Sequence, residues 1–370
     1  MILTKLSVQS FRNLDATTLE FCKGFNILYG DNAQGKTNLL ESIFLLGTLK
    51  SFRHARNSDL IAWDTPFSLI RGAVTDDLTR HELALLLEKG SKKVRIDQKT
   101  VTRVAEFFGI LTVVLFAPEE LLMVRGAPES RRRYLDRAIF AGDLHYLTQH
   151  HEYSRILKQR NSLLRSGDSS SALEPWNEQL AMAGGRLAAQ RVDYLARIGD
   201  LLSSLYREIT GTTDRAAIAY RSSQVSYSAD ETDNGARILA ALAGVKNQER
   251  QQQTTLLGPH RDDLAFTLNG KPLRHAASQG QQRCYVLALK MAEIEYLRKL
   301  NGHPPVLLLD DMTSELDRQR TANLVRFLTQ RGMQVFITTT SLDQVGLFAE
   351  HETLRTFHVK QGSVQRQELQ

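Results

Sequence analysis

With only two cysteines in 370 residues, Cys22 and Cys284, a disulfide framework is excluded, and their spacing fits no metal site. They read as reduced thiols. No apolar run approaches the roughly 18 residues needed to cross a bilayer. The first residues, MILTKLSVQSFRNLD, alternate apolar with polar side chains where a secretory leader would carry an apolar core. A cytoplasmic chain with no membrane partner is the expectation. There is no internal repeat, and no aromatic-rich stretch offers a base-stacking platform, which argues against sequence-specific nucleic-acid readout. Charge of one sign is scarce as well: 47 Lys+Arg against 41 Asp+Glu leaves a net +6 and a pI near 9.3. Such an excess permits contact with a polyanion without demanding it.

What is present is an ordinary globular balance, 42% hydrophobic and 24% charged. The length suggests two domains more readily than one. Residues 2–10 and 24–29 read as strands. From 36 to 48, Leu39, Leu40, Ile43, Phe44 and Leu46 recur at helical spacing, so strand, Gly-rich turn and helix follow in order. Residues 67–74, 82–89 and 93–97 read as antiparallel strands, and 111–116 as a buried strand closed by Pro118. The texture then turns helical at 129–140 (opened by Pro128), 144–164, 174–209 and 232–242. Strands return at 264–268, 306–309 and 334–338, alternating with helices at 281–300 and 315–331. Apolar strands alternating with helices predict a mostly parallel, covered sheet. The expected fold is therefore α/β, a P-loop ATPase head assembled from residues 1–120 and 255–370 around a mostly helical insert at 121–254. That insert is far too short for a long coiled-coil arm.

Gly30-Asp31-Asn32-Ala33-Gln34-Gly35-Lys36-Thr37 fits G-x4-G-K-[ST] between the first buried strand and the first helix. Its glycines allow the tight turn by which successive backbone N–H groups face phosphate oxygens. The helix behind adds the positive end of its dipole. Lys36 can reach the β- and γ-phosphates, and the Thr37 hydroxyl can ligate Mg²⁺. Residues 306–309 then deliver Asp310 and Asp311 to the carboxyl end of a buried strand, where α/β sheets bind ligands. Asp310 suits a Mg²⁺ ligand acting through water, and Asp311 a general base facing the attacking water. ATP or GTP, with Mg²⁺, is the expected ligand.

Ser278-Gln279-Gly280-Gln281 stands directly before a helix and resembles the signature of ABC-type ATPases, with a Gln where a second Gly is frequent. Ser314-Glu315-Leu316-Asp317 resembles their D-loop. A closer likeness runs through SFRNL at 10–14, GDNAQGKTNLLESI at 30–43, FAPEELLMVRGAPESRRRYLD at 116–136, LLGPHRDD at 256–263, SQGQQR at 278–283 and LLLDDMTSELD at 307–317. These blocks resemble the RecF family of bacterial DNA replication and repair proteins, SMC-like members of the ABC ATPases, in the same order and over nearly the whole chain. The resemblance implies an ABC-type head whose ATP is held by one copy and completed by Ser278 and its helix N-terminus from a second copy. The D-loop would cross the same interface. It further implies an ATP-dependent homodimer on single-stranded DNA or gapped or junction duplex, cooperation with RecO and RecR in loading recombinase, and a part in replication and the SOS response. Departures from transporter-type ATPases imply slow turnover. Asp311 stands where they carry a longer Glu, Thr339-Thr340-Ser341 where they carry a switch His, and no Gln marks the Q-loop, with Pro118-Glu119 in that region. ATP would act as a timed clasp through weak, DNA-stimulated hydrolysis.

Cations suited to phosphate contact gather in three places. Arg131, Arg132, Arg133 and Arg137 fall on one predicted helix, Arg53, His54 and Arg56 follow the first helix, and Lys89, Lys92, Lys93, Arg95 and Lys99 crowd a predicted hairpin. Glu129 and Asp136 can pair with the arginines, so a merely solvated face stays open. His260 and Arg261 would serve either a partner's nucleotide or a structural hydrogen bond, and Arg12 is equally open. Trp63 and Trp176 read as core or domain-interface residues. Two other classes share parts of the pattern. A transporter's nucleotide-binding subunit needs a switch His, and a non-hydrolysing DNA clamp needs neither Thr37 nor Asp311.

Overall fold

The computed structural model describes residues 1–76, 79–167, 170–311, 318–340 and 353–367. Strands β1 (Ile2–Gln9), β2 (Thr17–Glu20) and β3 (Phe25–Tyr29) lead into helix α1 (Lys36–Thr48). Helix α2 (Asn57–Leu60) precedes β4 (Phe67–Thr75), β5 (Arg80–Glu88), β6 (Lys92–Ile96), β7 (Lys99–Thr100) and β8 (Val113–Phe116). Next come α3 (Leu122–Arg125), α4 (Pro128–Gly142), α5 (His145–Ser166), α6 (Ser170–Thr210), β9 (Ala216–Arg221) and α7 (Glu231–Gln252). They are followed by β10 (Asp263–Leu268), β11 (Lys271–Pro272), α8 (Leu273–Ala276) and α9 (Gln279–Asn301). The chain closes with β12 (Val306–Leu309), α10 (Arg318–Gln330), β13 (Val335–Thr339), β14 (Leu354–Lys360) and β15 (Ser363–Gln367).

The chain divides into two compact units, of which the first comprises Met1–Leu121, Glu208–Thr212 and Arg283–Gln370. It holds two sheets. One is antiparallel, ordered β2-β1-β4-β5-β6-β7; the other, ordered β15-β14-β3-β13-β12-β8, is parallel except for its edge strand β15. The expected parallel sheet is thus present, and its central strands FNILY and VLLL are buried throughout, as two covered faces require. Helix α1 packs on β4 and β5 of one sheet and on β8 and β13 of the other. It can do so because Leu39, Leu40, Ile43, Phe44, Leu45 and Leu46 surround its axis and are at most 3% exposed. Each such side chain contributes about 2 kcal/mol of burial. The phosphate-loop helix is therefore anchored between the sheets and its N-terminus has a fixed address. Strands β14 and β15 were not anticipated, since Thr356, His358 and Gln365 interrupt any apolar run in this edge hairpin.

The second unit comprises Leu122–Arg207 and Thr213–Gln282. It is helical, as expected, but it also carries a three-stranded sheet ordered β11-β10-β9. Residues 255–282, expected to join the head, are grouped here because β10 pairs with β9 along its whole length, from Asp263↔Arg221 to Leu268↔Ala216. Trp63, expected in a core or interface, is 93% exposed in the turn before β4, whereas Trp176 is half-buried on α6.

Candidate nucleotide site

The phosphate loop starts where β3 ends. Gly30, at φ 148, lies so close under Val359 that a Cβ would collide with its carbonyl oxygen, and Gly35 caps α1 at φ 116. Ala33 is left-handed at φ 62, a conformation that L-residues adopt at a cost of about 1 kcal/mol. Lys36 Nζ donates to the carbonyls of Gly30 and Asp31, each at 2.7 Å, bridging the loop from inside. Burial pulls its pKa below the ordinary amine range, while the charges of Asp311, Asp310 and Asp31 oppose that shift. Three carboxylates facing one buried ammonium make a site that accepts a cation or an anion paired with one.

The acids arrive on β12. Its register with β13 pairs Leu309 with Ile337, so Asp310 comes level with Thr338. The Thr338 hydroxyl donates to Asp310 Oδ1 at 2.7 Å and accepts from the Asp311 backbone N–H at 2.8 Å. Thr37 Oγ1 donates to the same Asp310 oxygen at 3.0 Å, joining the phosphate-loop helix to the acid strand as the motifs require. Asp310 is 5% exposed. Burial pushes its carboxyl pKa up; hydrogen bonds from Thr338 and Thr37 counter this, and the charges of Glu119 and Asp311 add to it. Asp311 is exposed and held at φ 48, a strained turn of the kind that gathers at functional positions. A hydroxyl and a desolvated carboxylate are hard donors, so Thr37 and Asp310 fit Mg²⁺. No group of three or more His, Cys, Asp or Glu able to hold a metal exists among the described residues, so such an ion would complete its shell with phosphate oxygens and water. Thr338 is the site residue that sequence reasoning missed. Its sign in the sequence is a hydroxyl at the C-terminal end of the strand paired beside the acids.

Ser278 is exposed and caps α9. Its hydroxyl accepts from the Gln281 N–H at 3.2 Å, and Gln281 Oε1 accepts from the Ser278 N–H at 2.9 Å, a reciprocal capping box. Gln279 and Gly280 fill the first turn between them, leaving their N–H groups for an outside acceptor. Ser314, Glu315, Leu316 and Asp317 lie outside the described residues, as does Ser341.

The cationic candidates separate. Consecutive helix positions point about 100° apart, so Arg131, Arg132 and Arg133 cannot share a face. Arg131 is buried in a two-pronged pair with Asp263, at 2.6 and 2.9 Å, and is a structural residue instead of a DNA contact. Arg132 donates to the Asp262 carbonyl at 2.8 Å, and exposed Arg133 pairs with Glu129 at 2.5 Å. Lys92 Nζ caps the end of α1 by donating to the Leu49 carbonyl at 2.7 Å, and Lys93 pairs with Glu88 at 3.1 Å. Arg53 and Arg56 are exposed, and Arg53 reaches Asn38 on the first turn of α1 at 3.2 Å, beside the phosphate loop.

Of the open cases, Arg12 and His260 make structural contacts. Arg12 pairs with Glu41 of α1 at 2.5 and 3.1 Å, and Glu41 is 0% exposed. In the second unit, Arg191 is buried and donates to Asp136 at 2.7 Å, to the Tyr146 and Tyr220 hydroxyls at 3.0 Å, and to the Pro259 carbonyl at 2.7 Å. Although burial pushes the Asp136 carboxyl up, Arg191 and hydrogen bonds from His150 and Tyr146 hold it well below the usual carboxylate range. His260 Nδ1 meets the Tyr153 hydroxyl at 2.7 Å and its Nε2 the Thr255 carbonyl at 3.3 Å. The Gly-Pro-His-Arg-Asp-Asp block is the hub of this unit's polar network, with Arg261 alone exposed.

Known proteins resemble this chain in sequence and fold. The family model for the RecF/RecN/SMC N terminal domain matches residues 2–365. A DNA replication and repair protein RecF from Geobacter metallireducens is 52% identical over 364 residues, covering 98% of this chain and 99% of the relative. The solved structure of the recombination mediator protein RecF with ATP, from the RecFOR pathway, superposes with a TM-score of 0.90 at 33% identity, over 99% of this chain and 97% of that one. An Smc head domain from Pyrococcus furiosus, at 16% identity and a TM-score of 0.58, shares the fold alone. An α/β head with a phosphate loop facing paired acids, and relatives of this identity over nearly full length, place the chain in the RecF family of SMC-like ABC ATPases.

Proposed function

We propose that this chain is an ATP-dependent DNA-binding protein of replication and recombinational repair, whose ATP is sandwiched between two copies and hydrolysed slowly. The observation that carries the reading is the chain of contacts from Thr37 through Asp310 and Thr338 to the Asp311 backbone, at 3.0, 2.7 and 2.8 Å. It sets the phosphate-loop helix, a Mg²⁺-suited oxygen pair and a candidate base in one arc. Residues 30–37 hold the triphosphate through backbone N–H groups, with Lys36 turned to the β- and γ-phosphates. Thr37 and Asp310 hold Mg²⁺, which neutralises phosphate charge when bound. Asp311 orients the attacking water and takes its proton. One methylene shorter than Glu, it holds that water less closely, and no His stands at 339–340 to assist. Ser278 and the N–H groups of the α9 first turn complete the second copy's ATP, and the segment 314–317 crosses the same interface.

DNA is contacted through phosphates by surface cations, of which Arg53 and Arg56 are the best placed and Arg131 is excluded by burial. Single-stranded DNA and gapped or junction duplex are the proposed substrates. RecO and RecR are the proposed partners in recombinase loading, with a contribution to the SOS response, in the cytoplasm. The test is binding to gapped, duplex and single-stranded DNA with and without ATP across salt. Affinity that ATP raises and salt lowers supports the reading; binding indifferent to ATP removes it.

A further inference from the structure

The phosphate loop is braced from outside by the unanticipated C-terminal hairpin. Gln361 and Gly362 form the two-residue turn between β14 and β15, both left-handed at φ 48 and 87, as the tight hairpin turn demands. The Gly362 N–H donates to the Gln34 carbonyl at 2.9 Å, and the Gln361 N–H donates to Gln34 Oε1 at 2.6 Å. The Gly362 carbonyl in turn accepts from the Asp15 N–H at 3.1 Å. Asn13, in the SFRNL block, adds its Nδ2 to the same Gln34 carbonyl at 3.5 Å, while its Oδ1 accepts from Asn38 at 2.6 Å. Gly362 is wedged so tightly that a Cβ on it would collide with the Asn13 carbonyl oxygen.

The geometry has a consequence for phosphate binding. No peptide in the described structure is cis. In a planar trans peptide the C=O and the following N–H point in opposite directions. Fixing the Gln34 carbonyl outward, onto Gly362 and Asn13, therefore fixes the Gly35 N–H inward, toward the arc that faces the β- and γ-phosphates. Left unbraced, a peptide flanked by Gly35 could flip, because glycine admits both orientations at little cost.

We infer that the Gln361–Gly362 turn and Asn13 are positioning residues for nucleotide: they clamp the Gln34–Gly35 peptide in its phosphate-binding orientation before ATP arrives. The inference rests on the phosphate-loop reading above. Two variants of the full-length protein test it. Asn13→Asp keeps the acceptor for Asn38 but removes the donor to Gln34, and Gly362→Ala forces the turn away from the loop. ATP affinity is read by titration with a fluorescent ATP analogue, alongside the melting temperature of the nucleotide-free protein. Each variant should bind roughly three- to tenfold more weakly, the scale of one lost hydrogen bond, with the melting temperature of Asn13→Asp unchanged. Asn13→Asp alters no backbone, so it decides the matter if Gly362→Ala lowers melting. Wild-type affinity in a folded Asn13→Asp protein overturns the clamp. Lys36→Ala separates the two readings: if wild type binds and Lys36→Ala does not, the phosphate loop stands whatever the clamp variants do. If Lys36→Ala binds as wild type, the phosphate-loop reading falls, and the clamp with it.

Discussion

At the scale of single residues, a side chain within a motif block can serve to hold other residues in place. Arg12 illustrates the distinction. Its guanidinium is the partner of a fully buried Glu41, which also accepts from Ser51. Removing it by Arg12→Ala leaves a buried carboxylate uncompensated and should cost about 3 kcal/mol of stability. Denaturant unfolding checks this, and an Arg12→Ala/Glu41→Gln double variant should recover part of the loss. Neutral unfolding for Arg12→Ala would show the pair to be dispensable. Thr338 is the opposite case, a small residue hydrogen-bonded to both acids of the proposed site. Thr338→Val keeps the volume but removes the donor to Asp310 and the acceptor for Asp311. ATP turnover should fall about tenfold, one hydrogen bond's worth of orientation, while Mg²⁺-free ATP binding stays as in wild type. Wild-type turnover would place the hydroxyl outside the mechanism.

At the scale of elements, the hub around the Gly-Pro-His-Arg-Asp-Asp block sets a pH dependence. Burial pulls the His260 pKa down from its ordinary 6.5 to about 4, outweighing the contact with the Thr255 carbonyl that raises it. Between those values unfolding takes up a proton that the folded state refuses. The contribution is therefore complete above about pH 6.5 and is lost as pH falls toward 4. Protonation would also deprive the Tyr153 hydroxyl of its acceptor. A His260→Gln variant should flatten this part of the stability profile, followed by circular dichroism melting from pH 4 to 7. An unchanged slope would assign the pH dependence to other groups.

What the sequence made legible at this scale follows physical rules. Elements with one dominant period were readable: α1 spans 36–48 as expected, and VLLL at 306–309 was evident as a buried strand. The phosphate loop and paired acids were legible because their chemistry is local. Strands of mixed pattern were not. β9 and the β14–β15 hairpin carry mixed patterns that only their partners explain, and β10 could not be assigned to the insert without knowing it pairs with β9. Arg131 was misread because three adjacent arginines look like a patch in sequence and point three ways on a helix. Trp63 was misread because a large aromatic is usually buried, and here it projects from a turn.

At the scale of the whole molecule, the proposed function makes the nucleotide a bond between two copies. In that reading neither the phosphate loop nor the capped, exposed Ser278 suffices alone, since one would supply the grip and the other the closing donors. Slow chemistry at Asp311 would then set how long the pair stays closed. The most direct measurement is the mass of the purified protein in solution, by sedimentation with Mg²⁺ and saturating ATP, using Asp311→Asn to hold ATP uncleaved. The expected result is a monomer without nucleotide and a dimer with ATP, lost again in Ser278→Arg even though that variant still binds ATP. A monomer under all these conditions, gapped DNA included, would contradict it.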